Sequence, residues 1–180
     1  MNIRFLVAYA STFGTTAEVA TAIGDTLRDA TFTVEVRPII DVDDLASYHA
    51  AVIGSAIYNG QWLPEAVHFV QRQRATLQQM PVAYFLTCMA LHTDTPYQRQ
   101  IATRYVQTVR AIAPEITPVS LGVFAGCLRY RNLPLMERIE FWLQARLPSG
   151  DFRDWDAIRR WAADARPLLL HNLSTRQSVA

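Results

Sequence analysis

The sequence predicts an α/β fold in which a parallel sheet is covered by helices on both sides. Short, nearly continuous apolar runs at Ile3–Tyr9, Ala50–Gly54 (AAVIG) and Pro81–Leu86 (PVAYFL) suit strands buried on both faces. The stretches between them have helical spacing, and strands alternating with helices call for parallel pairing. With 51% hydrophobic and 18% charged residues a substantial core is available, and 180 residues fit one domain.

Each element has its own signal. After the first strand, Thr15–Ala30 places Val19, Ile23 and Leu27 on one helical face, and Thr15 with Glu18 forms a capping-box pattern. Phe32–Arg37 (FTVEVR) alternates as a strand, Asp41–Ser47 is an acidic connection, and Ala50–Gly54 is the third strand. A helix is expected over Leu63–Gln78 with Val67, Val70 and Leu77 inward. Pro81–Leu86 is the fourth strand, a polar loop leads to a helix over Tyr97–Ile112, and Ile116–Phe124 is the fifth strand. The last helix, near Asp154–Leu169, repeats Trp155, Ile158, Trp161 and Ala165, with Asp154 as N-cap. No repeat or linker divides the chain. The expected organisation is a single domain over 1–171, an insert at about 129–150, and a polar, frayed tail over 172–180.

Composition excludes several classes of function. A formal charge of +1 gives no reason to expect a nucleic-acid partner. All 17 basic residues are arginine, which rules out a Walker-type phosphate loop and Schiff-base lysine chemistry. Cys88 and Cys127 sit in separate apolar settings and read as the thiols of a reduced, cytoplasmic protein. The four histidines lack zinc-ligand spacing, so no metal site is expected. The chain opens directly into a strand pattern without a basic leader. No apolar run approaches the ~20 residues of a spanning helix.

In open α/β sheets ligands bind beyond the carboxyl ends of the strands, so the loops there are the candidate site. The first is Ser11–Thr12–Phe13–Gly14–Thr15–Thr16, with four hydroxyls, one glycine and the N–H groups of the following helix. A helix cap needs one hydroxyl, so the surplus points to a bound phosphate. The spacing is not that of G-x-G-x-x-G, because Ser11 and Phe13 stand where glycines are required. A hydroxyl cradle suits a terminal phosphomonoester, as in FMN, better than a pyrophosphate.

The second loop, Ser55–Ala56–Ile57–Tyr58–Asn59–Gly60–Gln61–Trp62, offers aromatic surface and an Asn-Gly turn. A flat tricyclic ring could stack on Tyr58 or Trp62; alternatively Trp62 anchors the next helix. The third loop, from Thr87, Cys88 and Met89 to His92, offers backbone donors to the other edge of the ring. Cys88 reads as packing ahead of redox chemistry, and His92 with Asp94 could either relay protons or simply be solvated.

These three loops, in this order, resemble those of the flavodoxin family. S-T-F-G-T-T is similar to its T/S-x-T-G-x-T phosphate loop, and VIGSAIYNG at Val52–Gly60 to its second flavin loop. Within the family, VIGSAIYNGQW, FAGCLRY (Phe124–Tyr130) and DFRDWDAIRRWA (Asp151–Ala162) resemble the menaquinone-dependent protoporphyrinogen dehydrogenases and their flavodoxin-domain relatives. The resemblance implies a flavodoxin-like three-layer sandwich with sheet order 2-1-3-4-5, one noncovalent FMN, and electron transfer at the exposed flavin edge. It implies that Ser11, Thr12, Gly14, Thr15 and Thr16, with Phe13 between them, hold the phosphate. Ser55, Ala56, Ile57, Tyr58, Asn59, Gly60, Thr87, Cys88 and Met89 would hold the ring.

Arg129–Gly150 stands where a small flavodoxin turns directly into its last helix. It carries Leu135, Met136, Ile139, Trp142 and Leu143 among Arg129, Arg131, Arg138 and Arg146, with Glu137 and Glu140 diluting the basic rim. Such a face can lie on an anionic membrane or accept a carboxylated tetrapyrrole; equally it can cover a sheet edge or a dimer interface. The leading expectation is an FMN oxidoreductase with a porphyrinogen or other hydrophobic donor and a quinone acceptor, cytoplasmic or peripheral at the membrane. No general base stands out. The alternatives are an electron shuttle that docks with redox proteins, supported by seven acids against three arginines in the first fifty residues, and a cofactor-free interaction module.

Overall fold

A computed structural model describes residues 3–30, 32–93, 95–129 and 149–177. The parallel sheet is built from β1 (Ile3–Ala10), β2 (Phe32–Pro38), β3 (Ala50–Tyr58), β5 (Val82–Cys88) and β6 (Ser120–Ala125). Its order is β2-β1-β3-β5-β6, which is the expected 2-1-3-4-5 once the two-residue strand β4 (Gln61–Trp62), paired antiparallel to β3, is set aside. Side chains alternate across β1. Phe5 and Val7 join α1 (Thr15–Leu27) and the last helix, α5 (Trp155–Gln177), whereas Leu6, Ala8 and Ala10 join the opposite core. That second core is closed by α2 (Pro64–Arg72), α3 (Arg74–Leu77) and α4 (Pro96–Arg110). The three layers follow directly from these two faces.

Register determines where the site can form. Ala10 pairs with Ser55, Ala56 with Thr87, and Cys88 with Ala125. The carboxyl ends of β1, β3, β5 and β6 are therefore level, and their loops meet.

Several expectations are corrected. The Thr15–Glu18 capping box does not form: the N-cap of α1 is Gly14, with no side-chain cap bond, and Glu18 pairs with arginines instead. β3 runs four residues past Gly54, to Tyr58, because the Asn59–Gly60 turn folds β4 back onto it. The helix expected over Leu63–Gln78 divides at Gln73, where Arg72 and Gln73 side chains donate to the Val42 and Asp43 carbonyls at 3.0 and 2.8 Å. β6 starts at Ser120 instead of Ile116, whose N–H closes a turn onto Ala113. The last helix begins as expected, with Asp154 Oδ1 accepting from Ala157 N–H at 2.9 Å. It continues to Gln177, beyond the expected tail boundary at 172, because Leu169, Leu170 and Leu173 extend its apolar stripe. The insert expected at about 129–150 lies almost wholly outside the described residues, which omit 130–148 and also Asp94.

Candidate functional site: a hydroxyl cradle beside an aromatic cavity

A cavity of about 470 Å³ opens at the level ends of β1, β3 and β5. Ser11, Thr12, Phe13, Thr15 and Thr16 line one side, and Ala56, Ile57, Tyr58, Asn59, Gly60, Thr87, Cys88 and Met89 line the others. Among the described residues at its wall there is no arginine, aspartate or glutamate.

The cradle is held by its backbone. Gly14 has φ of 79°, a left-handed conformation that a side chain disfavours, and this bends the chain from β1 into α1. The first N–H groups of α1 then have no intrahelical acceptors and face the turn. Ser11 Oγ is buried and makes no hydrogen bond among the described residues. Such an orphaned hydroxyl beside free N–H groups suits an anion. Thr16 is anchored deeper, its hydroxyl 2.9 Å from that of Thr87, which ties the first turn of α1 to the end of β5.

The second loop is a tight hairpin. Asn59 and Gly60 both have positive φ, 49° and 81°, the type I′ pattern that matches strand twist. The turn leaves Tyr58 at the cavity mouth, 43% exposed. Trp62 does not reach the cavity: it is 3% exposed and meets Tyr84 edge-on at 5.3 Å, so it is the anchor of the hairpin. Ser55 is also turned away; it is fully buried and its Oγ accepts from Leu63 N–H at 3.0 Å. His92 lines the cavity, its Nδ1 2.8 Å from the Met89 carbonyl.

Both cysteines are buried. Burial pushes the Cys88 thiol up to about 11 from an ordinary 9.0, and backbone hydrogen bonds from Leu91 and Ala90 offset only part of this. Cys88 is thus a protonated packing group at neutral pH. The folded state keeps this proton between pH 9 and 11, where the unfolded chain releases it. Its contribution is complete below about pH 9 and lost as pH rises towards 11. Urea titrations from pH 8 to 11 should show stability falling over this window, with a shallower slope in Cys88→Ala.

Two groups of residues escape the sequence reading. Tyr97, Ile101 and Tyr105 of α4 line the cavity at four-residue spacing. That stripe was visible, but nothing in it says which end of the sheet α4 covers. The second is Arg153, whose side chain is 1% exposed. It donates to Asp151 Oδ1 at 2.7 Å, to Glu18 Oε2 at 2.8 Å and to the Thr15 carbonyl at 2.9 Å. Its guanidinium lies 4.4 Å from the Trp155 ring centroid. Burial opposes the Arg153 charge and is the largest single influence, yet Asp151 and Glu18 together outweigh it and raise the pKa. Hydrogen bonding from Arg153 in turn holds the Asp151 carboxyl below its usual range.

The flavodoxin-domain family matches this chain over residues 6–154. The chain belongs to that family. Membership brings FMN as the cofactor, and the orphaned Ser11 hydroxyl, the neighbouring threonines and the lack of a carboxylate among the described lining residues fit its phosphate. Two curated relatives bear the name protoporphyrinogen IX dehydrogenase [quinone]. The one from Leishmania major is 28% identical over 93% of this chain and 76% of its own; the one from Escherichia coli K12 is 21% identical over 90% and 94%. An archaeal flavodoxin structure superposes with a TM-score of 0.55 at 19% identity, covering 94% of this chain and 100% of its own. This flavodoxin domain is a flavodoxin-type FMN oxidoreductase.

Proposed function

We propose that this flavoprotein oxidises a porphyrinogen, or a similarly flat hydrophobic donor, and passes the electrons to a quinone. The observation that carries this reading is that relatives bearing the dehydrogenase name align with 90% or more of the chain. The cavity agrees with it, since Phe13, Tyr58, Met89, Tyr97, Ile101 and Tyr105 offer aromatic and apolar contact, with no carboxylate among the described lining residues to repel an acidic substrate. Ser11, Thr12, Thr15 and the α1 N–H groups would hold the phosphate, with Gly14 shaping the turn and Thr16 bracing it. Ala56 to Gly60 and Thr87 to Met89 would hold the ring. When bound, FMN supplies two-electron and one-electron redox chemistry. The chain's own part would be to hold the phosphate at the cradle and to offer its aromatic wall to the ring. Each two-electron oxidation of the donor is matched by reduction of one quinone to quinol.

No helix among the described residues is long and apolar enough to cross a membrane. We place the protein in the cytoplasm, with the 129–150 segment as its contact for membrane, substrate or a second subunit. Deleting Leu133–Leu147 should leave FMN bound and lower turnover of lipophilic quinones at least tenfold, measured beside vesicle sedimentation. Unchanged quinone reduction and unchanged membrane association would make the segment purely structural. The deciding experiment is anaerobic oxidation of protoporphyrinogen by the FMN-loaded protein with a menaquinone analogue.

One observation favours a second reading. Asp41, Asp43 and Asp44 are exposed just beyond β2, at the same end of the sheet as the cavity. An acidic patch there suits docking of a redox partner, as in an electron shuttle. Absence of porphyrinogen turnover, together with rapid reduction by a flavodoxin reductase, would favour the shuttle. A colourless protein that ignores added FMN would leave only the cofactor-free module.

A further inference from the structure

Glu18 poses an electrostatic problem. It lies in the first turn of α1, the same turn whose N–H groups would hold the phosphate, and a carboxylate there repels a dianion. The chain has no lysine, and no arginine lines the described cavity wall to compensate. Compensation comes from behind the helix. Arg153 Nη2 donates to Glu18 Oε2 at 2.8 Å, and Arg129 Nη1 donates to Oε1 at 3.2 Å. Both arginines also bond Asp151, so two guanidinium groups and two carboxylates form a cluster of zero net charge. Arg153 adds a contact that a simple counter-ion would not make, donating to the Thr15 carbonyl at 2.9 Å.

We propose that Arg153, assisted by Arg129, is a positioning residue for the flavin phosphate: it holds the first turn of α1 in place through Thr15 and cancels the charge of Glu18. The inference rests on FMN being the ligand of the cradle. It makes the cluster a device that favours the phosphorylated flavin over riboflavin. Without Arg153 the cluster carries a net negative charge behind the cradle, which penalises only a ligand that is itself negative. A purely structural arginine would affect both flavins alike.

The test compares FMN and riboflavin binding to apo-protein by flavin fluorescence quenching. In Arg153→Met the FMN dissociation constant should rise at least ~10-fold, as expected for one unit charge uncompensated near the site, and that for riboflavin less than ~3-fold. Adding Glu18→Gln should restore most of the FMN affinity, and high salt should narrow the deficit through screening. Arg129 is exposed, so Arg129→Gln should show a smaller loss in the same direction without disturbing the core, and it carries the test if Arg153→Met does not fold. Equal losses for both flavins, or no rescue by Glu18→Gln in either arginine background, would overturn the proposal. Wild-type protein that binds neither flavin would overturn the cofactor reading itself, a separate outcome from failure of the selectivity.

Discussion

Thr12→Glu yields colourless protein. Thr12 lines the cradle and is itself exposed, so its replacement leaves the fold alone and places a carboxylate where the phosphate would lie. Two unit charges 4 Å apart at an effective dielectric of 20 repel by about 4 kcal/mol, and the phosphate carries more than one charge. Loss of the hydroxyl removes a further ~1 kcal/mol of hydrogen bonding. The FMN dissociation constant should rise by roughly three orders of magnitude or more. Thermal unfolding of the apo-protein should barely move, because an exposed substitution changes stability by about 0.5 kcal/mol or less. Thr12→Ser keeps a hydroxyl and should retain the yellow colour. Flavin content unchanged in Thr12→Glu would remove the phosphate from this loop.

Gly54→Ala should cost about 3 kcal/mol of stability, near the upper end for overpacking a core. Gly54 sits in β3 opposite Phe85 of β5, and a Cβ there would lie 2.0 Å from Phe85 Cε1. The ring has little freedom to retreat: Phe85 is fully buried, with Phe124 and Trp161 centroids 6.5 and 6.4 Å away. For a domain of this size that loss lowers Tm by about 6–12 °C, readable by calorimetry. Phe85→Leu in the same chain should recover part of it by opening room for the methyl. FMN affinity should also weaken, since β3 leads directly into the Tyr58 wall of the cavity. A Tm unchanged in Gly54→Ala would mean that the ring and strand move apart more easily than this packing allows.

The apolar runs of β1, β3 and β5 are legible because a parallel strand buried on both faces needs no polar side, and the Val19–Ile23–Leu27 stripe because a helix on a sheet needs one apolar face. The hydroxyl cradle is legible because strand, turn and helix N-terminus are contiguous in the chain. Ser55 and Trp62 lie in the right loop yet outside the cavity, since alternation along a strand and the hairpin turn decide which side each faces. The capping box failed at Glu18 for a related reason: the carboxylate found stronger partners from the far end of the chain.

The order of strands and helices and the local anion cradle can be read along the chain, because each rests on neighbours a few residues apart. Folding in three dimensions brings Arg153 to Thr15 and Glu18, and Tyr97 and Tyr105 of α4 to the cavity wall. Those contacts join residues up to 138 positions apart, and no local period records them. They exist because sheet register levels the strand ends and packing chooses which helix covers which face.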